Sequence, residues 1–191
     1  MSTGTDVITT KVKKSVALSG VMAGNTAVCT VGRTGNDLHY RGYDIVELAR
    51  QSTFEEVAFL LIHGDLPSES DLKDYRKKLK SLRGLPVQVK TVLEHIPAAA
   101  HPMDVLRTGC SVLGTVLPEK EDRNIQGTRD VIDRLVASFG SMLIYWWHYS
   151  RHGKRIETVT DDDSIGGHFL HLLHQKRPGD EAVRAMHTSL I

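Results

Sequence analysis

The stretch Thr128-Arg-Asp-Val-Ile-Asp-Arg-Leu-Val-Ala-Ser-Phe-Gly-Ser-Met-Leu-Ile-Tyr-Trp-Trp-His-Tyr-Ser-Arg-His152 decides the fold. Val131, Leu135, Phe139, Met142, Leu143 and Trp146 recur at helical spacing. Toward its C-terminal end the segment is apolar nearly all round, so it has no face to offer to water. Such a helix belongs in the middle of a helical pack. Its longest strongly apolar run, Met142 to Trp147, is far short of the roughly 20 residues that cross a bilayer. A mainly α protein built around this segment is expected.

The flanking sequence agrees. Upstream, Asp44 is placed to cap a short helix through Ile45, Leu48 and Ala49. Thr53 and Glu56 have the capping-box spacing, and Phe54 to His63 is an apolar helix closed by Gly64 and Pro67. Ser68 or Ser70 opens a third helix with Leu72, Tyr75, Leu79 and Leu82 inside and Lys73, Lys77, Lys78 and Lys80 outside. Pro86 and Pro102 sit where first-turn prolines are tolerated, ahead of Val87 to Ile96 and Met103 to Leu117. Pro118 to Gly127 reads as a polar loop. Downstream, Asp161-Asp-Asp163 lies at the positive end of a helix from Ile165 to His174. The last helix carries Ala182, Val183, Met186, Leu190 and Ile191 on one side and has no stop signal, which leads one to expect a truncated chain. The β signal is confined to a small hairpin, Ala27 to Val31 and Leu38 to Tyr40, with a turn at Gly32 to Asn36. Residues 1–15 are expected to form a flexible tail.

Composition narrows the class. The 191 residues are 40% hydrophobic and 25% charged, with 24 basic and 23 acidic side chains and a formal net charge of +1. That balance argues against a nucleic-acid groove. Nothing reads as a secretory leader or a membrane span, and Cys29 and Cys110 suit two reduced thiols, so a cytoplasmic protein is expected.

Candidate sites are few, and each has a plain structural counterpart. His168, His171 and His174 fall at i, i+3 and i+6, too spread along a helix to converge on one metal, and they suit polar contacts between helices. His148 and His152, beside Trp146 and Trp147, lack a third ligand, and an aromatic wall around a buried polar contact is preferred. Asp161 to Asp163 supplies too few oxygens for a cation. Lys77, Lys78, Lys80 and Arg83 could meet phosphates or form a solvated helix face. Gly32-x-x-Gly35 is a turn. No metal site and no catalytic triad emerge from spacing.

Several stretches resemble the citrate synthase family: Asp37-Leu-His-Tyr-Arg-Gly-Tyr-Asp-Ile45, Phe54-Glu-Glu-Val-Ala-Phe-Leu-Leu-Ile-His-Gly-Asp-Leu-Pro67 and His101-Pro102-Met103-Asp104. Two more, Lys14 to Ala27 and Thr160 to His174, resemble its 2-methylcitrate synthase branch. The resemblance runs from about Lys13 to Ile191. It implies a citrate synthase-like helical large domain, represented by its amino-terminal part over residues 16–191, in a homodimer. It implies condensation of an acyl-CoA, propionyl-CoA or acetyl-CoA, with oxaloacetate, where the thioester is a substrate and no separate cofactor is used. In that family a carboxylate removes the α-proton and two histidines act on the enol and the ketone. The family's His-Glu-x-Asn-Ala-Ser-Thr stretch, its aspartate base and most of its substrate arginines have no counterpart here, so no catalytic residue is assigned. Arg83 is expected near substrate, as the sole substrate-binding candidate, against the alternative of a surface arginine ending a helix. His63 and His101 are expected to build the domain, and His187 receives no role. Phe59, Leu113 and Trp146 are expected to await packing partners outside these residues.

Overall fold

The computed structural model describes residues 24–32, 37–118 and 124–191. The expected tail 1–15, part of the Gly32 to Asn36 turn and part of the polar loop before Gly127 lie outside the described residues. Three short antiparallel strands come first, β1 (Cys29–Val31), β2 (Leu38–Tyr40) and β3 (Tyr43–Asp44), in the order β1-β2-β3. Among the described residues eight helices follow: α1 (Ile45–Gln51), α2 (Phe54–His63), α3 (Glu69–Ser81), α4 (Val87–Glu94), α5 (Pro102–Val116), α6 (Ile125–His152), α7 (Ile165–His174) and α8 (Asp180–Leu190). The hairpin expected from sequence is thus a three-stranded sheet. The missed strand pairs Tyr43 with Tyr40 across Arg41 and Gly42, both at positive φ (50° and 91°), the backbone of a tight hairpin turn.

Local signals placed most helix ends. Asp44 Oδ1 accepts from the Val46 and Glu47 N–H groups at 2.8 and 3.0 Å. Glu56 Oε2 accepts from the Thr53 N–H at 2.7 Å, and Gly64 closes α2 at φ 109°. Ser68 caps α3, and His101 Nδ1 accepts from the Met103 N–H at 3.2 Å with Pro102 in the first turn of α5. Two boundaries differ from expectation. α6 starts three residues early because Asn124 Oδ1 accepts from the Gly127 N–H at 2.7 Å, a cap hidden in a polar run. α4 stops at Glu94, so Pro86 is its N-cap and Ile96 lies in the turn beyond.

α6 lies at the centre, packed by α3, α4, α5 and α7. Met142, Ile144, Tyr145 and Trp146 of α6 join Val89, Leu93, Val105, Leu113, Ile156 and Leu172 in one apolar cluster. The approach of α5 to α6 is close at Gly109, where a Cβ would stand 2.8 Å from Met142 Sδ. A second cluster joins Ala58, Tyr75, Leu79, Ala137 and Ile165, and a third joins Leu48, Val57 and Leu60. Leu113 and Trp146 are 4% and 1% exposed, so the expectation that they await outside partners is corrected: both lie in the cluster shared by α4, α5, α6 and α7. Phe59 is half-buried and stacks on His63, with ring centroids 4.0 Å apart. On α8 the inward face differs from the apolar stripe read from sequence. Val183, Met186 and His187 turn inward, while Ala182 and Leu190 are exposed.

Candidate functional site

Polar groups concentrate where α7 begins. Ser164 caps the helix, its Oγ accepting from the Gly167 N–H at 2.9 Å. The Ile165 N–H donates instead to Glu55 Oε1, 2.7 Å away and 110 residues distant in sequence. Glu55 is completely buried, a position an acid occupies only when its oxygens find donors. Ahead of the helix, Asp162 Oδ2 accepts from the Thr160 hydroxyl at 2.8 Å and from His171 Nδ1 at 2.6 Å. His168 is held between Ser141 Oγ, 2.9 Å from Nε2, and Thr160 Oγ1, 3.0 Å from Nδ1. His187 of α8 completes the cluster. Its Nδ1 accepts from the Phe54 N–H at 3.1 Å and stands 3.8 Å from Glu55 Oε2.

Arg83 follows α3 and is 0% exposed, so it is not a surface arginine. Nη1 donates to the Asp162 carbonyl. Burial pushes its pKa down, and the carboxylates of Glu55, Asp162 and Asp163 push back in that order. Of the lysines that precede it in sequence, Lys78 and Lys80 are engaged within the chain, and Lys77 is exposed. Lys78 Nζ bonds Asp130 at 2.7 Å and buried Asp133 at 2.6 Å, and Lys80 Nζ bonds the Asp161 carbonyl at 2.6 Å and Asp163 at 3.0 Å. Asp161 to Asp163 do lie ahead of the start of α7, as the sequence reading has it, and the structure adds side-chain partners for two of them. The carboxylates of Asp162 and Asp163 serve Thr160, His171 and Lys80, and α7 is capped by Ser164 and Glu55.

The histidine spacing reads as polar contacts between helices. His168 is buried, His171 half-buried and His174 exposed, so they share no focus. His148 bonds the Leu172 carbonyl at 3.0 Å beside buried Trp146. Among the described residues no group of three His, Cys, Asp or Glu side chains is placed to hold a metal ion. Sequence reasoning passed over Glu55 and Asp133. Asp133 accepts from Tyr75 Oη at 3.0 Å on one oxygen and from Lys78 on the other. Glu55 borders the apolar face of α2, a misfit the spacing shows, whereas Asp133 lies well away from the stripe of Val131, Leu135, Phe139 and Met142, so periodicity carries no signal for it.

Among the described residues, two surface clefts bear on the candidate site. One, about 390 Å³, is lined by Lys90, Thr91, Glu94, Tyr145, Arg155 and Glu157. In it Arg155 grips both Glu94 oxygens at 2.8 Å, and Tyr145 donates to Oε1 at 2.6 Å. Those bonds hold Glu94 down to about 2, while burial and then Glu94 push Tyr145 up to about 12. Neither group is therefore poised to exchange a proton near neutrality. The second, about 180 Å³, lies between α1 and α8 and includes Thr53, Asp180, Arg184 and His187. Arg83 lines neither cleft.

Burial and the nearby Arg83 cation lower the His168 pKa from 6.5 to about 3. The folded state therefore excludes a proton that the unfolded chain accepts. The stability this contributes is complete above the unfolded value and drains as pH falls from 6.5 toward 3. Between pH 7 and pH 5 the group costs the fold about 2 kcal/mol. Urea titrations across that range should give a shallower pH slope for His168→Gln than for the parent. Parallel slopes would refute this origin of acid sensitivity.

A helical pack around one central apolar helix, with a small sheet at its start, matches known proteins. The family described as "Citrate synthase, C-terminal domain" matches residues 17–191, and the chain belongs to the citrate synthase family. It is 51% identical over 174 residues to the 2-methylcitrate synthase of Shewanella oneidensis, a match covering 91% of this chain and 46% of that protein. The chain thus spans about half the length of the curated relatives it matches. Citrate synthase from Thermotoga maritima superposes with a TM-score of 0.73 at 27% identity, covering 90% of this chain and 44% of that one. The Thermoplasma acidophilum enzyme, in complex with carboxymethyl coenzyme A and oxaloacetate, gives 0.80 at 20% identity over 89% of this chain and 44% of that one, a likeness of fold.

Proposed function

We propose that this chain is the amino-terminal portion of a 2-methylcitrate synthase, residues 16–191 being part of its helical large domain. That enzyme condenses propionyl-CoA with oxaloacetate and water to give 2-methylcitrate and CoA. The carrying observation is the 51% identity to the Shewanella protein across nearly the whole chain. Citrate synthase chemistry on acetyl-CoA is the second reading, favoured by the superposition on the Thermotoga enzyme.

Two titratable groups are held out of acid–base work. His168 is buried with both ring nitrogens bonded, and Glu94 is locked by Arg155. Arg83 enters this reading as a residue that shapes the site from within. It holds the Asp162 carbonyl just ahead of α7 and has no open path to a ligand in either cleft. A homodimer fits the apolar side chains left outward on α5, at its C-cap and on α6: Met103, Leu117, Ile132 and Phe139. A cytoplasmic setting fits the absence, among the described residues, of a helix long and apolar enough to cross a membrane.

CoA thiol release with oxaloacetate and either propionyl-CoA or acetyl-CoA tests the reading. The isolated chain should give none, since losing one positioned acid or base costs about 10²–10⁴ in rate, and the family's His-Glu-x-Asn-Ala-Ser-Thr stretch and aspartate base have no counterpart in this sequence. The chain joined to the remaining length of its relatives should turn over propionyl-CoA faster. Faster acetyl-CoA turnover by that longer protein would select the second reading, and turnover by the isolated chain would overturn the first.

A further inference from the structure

Arg83 offers five N–H donors in a rigid fork. Nη1 is used by the Asp162 carbonyl, but Nε and Nη2 are shut off from solvent and meet no protein acceptor. Glu55 mirrors this arrangement. Oε1 takes the Ile165 N–H, and Oε2 is buried with no donor. Both side chains are 0% exposed, and among the described residues no ion pair within 4.0 Å joins one to the other; His187 Nδ1, 3.8 Å from Glu55 Oε2, is itself accepting from the Phe54 N–H. Arg83 holds the Asp162 carbonyl and Glu55 holds the Ile165 N–H, so both side chains converge on backbone groups three residues apart at the start of α7.

We propose that one buried water molecule bridges Arg83 and Glu55, accepting from the guanidinium and donating to Glu55 Oε2. Buried side-chain polar atoms are nearly always hydrogen-bonded, to protein or to ordered water. A buried water typically makes about three such bonds, and donors and acceptor stand ready on two sides here. The charges select the occupant. An anion would face the Glu55 carboxylate and a cation would face Arg83, whereas a neutral dipole that donates one way and accepts the other suits both. The bridge separates the ions by about 5 Å, twice an ordinary hydrogen-bond length less the bend at the water. It joins the start of α2, the segment after α3 and the start of α7 at one point.

A crystal structure of the protein at a resolution that places ordered waters tests this directly. The expected result is one peak about 2.7–3.2 Å from Glu55 Oε2 and from Arg83 Nε or Nη2. Direct contact between carboxylate and guanidinium, or two well-ordered side chains with no peak between them, overturns it. So does an anomalous signal there after chloride is replaced by bromide. In solution, oxygen-17 relaxation dispersion should count one fewer long-lived water in a Glu55→Leu, Arg83→Met double variant than in the parent. Equal counts from the folded variant count against the bridge.

Discussion

Glu55→Ala is expected to lower the unfolding free energy by about 3–5 kcal/mol, the usual cost of stripping a buried charge of its partner. Two losses combine. The Ile165 N–H, buried at the start of α7, loses its acceptor, and the completely buried Arg83 loses the carboxylate that pulls on it most strongly. Glu55→Gln separates them, because the amide oxygen can still accept from Ile165 while the charge is gone. Urea midpoints should fall for both variants, the glutamine variant taking the smaller drop. A midpoint for Glu55→Ala within about 0.5 kcal/mol of the parent, the range of ordinary surface changes, would mean that Glu55 does not tie α2 to α7.

Trp146→Ala should be comparably damaging, again about 3–5 kcal/mol. The indole is 1% exposed in the cluster shared by α4, α5, α6 and α7, and its Nε1 donates to the Ile96 carbonyl at 3.1 Å. Truncation leaves a cavity between helices already in contact and orphans that carbonyl. Trp146→Phe keeps most of the volume and loses mainly the hydrogen bond, so it should cost much less. Trp147 is a built-in comparison, because it is 37% exposed and stacks against Arg151 at 4.0 Å. Trp147→Ala should be mild, and equal losses at the two tryptophans would contradict the placement of α6 in the core.

The elements that could be read from the sequence were those specified by neighbours in the chain. The alternation in Thr128 to His152 put α6 at the centre, and the short-range pairs Thr53–Glu56, Ser68–Asp71 and His101–Met103 fixed three helix starts. The third strand was missed because two residues carry no periodicity and its turn places Arg41, rather than a glycine or asparagine, at positive φ. The polar cluster at α7 was hidden for a different reason. Glu55 meets Ile165, and Arg83 meets Asp162, across 110 and 79 residues, so no window of sequence contains either pair. Glu55 also stood beside Glu56, which accounted for the capping signal and left its neighbour looking like an ordinary first-turn acid. The family was legible because linear motifs survive where geometry cannot be read.

The long-range caps impose an order on biosynthesis. The start of α2 is closed by His187, 133 residues later, and the start of α7 by Glu55, made 110 residues earlier. At a ribosomal rate of about 5–20 residues per second, the Phe54 N–H waits roughly 7–27 seconds for its acceptor to be polymerised. Throughout that interval the emerging chain can assemble the α4–α5–α6 core, but α2 is without the acceptor that α8 supplies. Vectorial synthesis therefore leaves the start of α2, already framed by the Thr53–Glu56 pair, one acceptor short until α8 arrives.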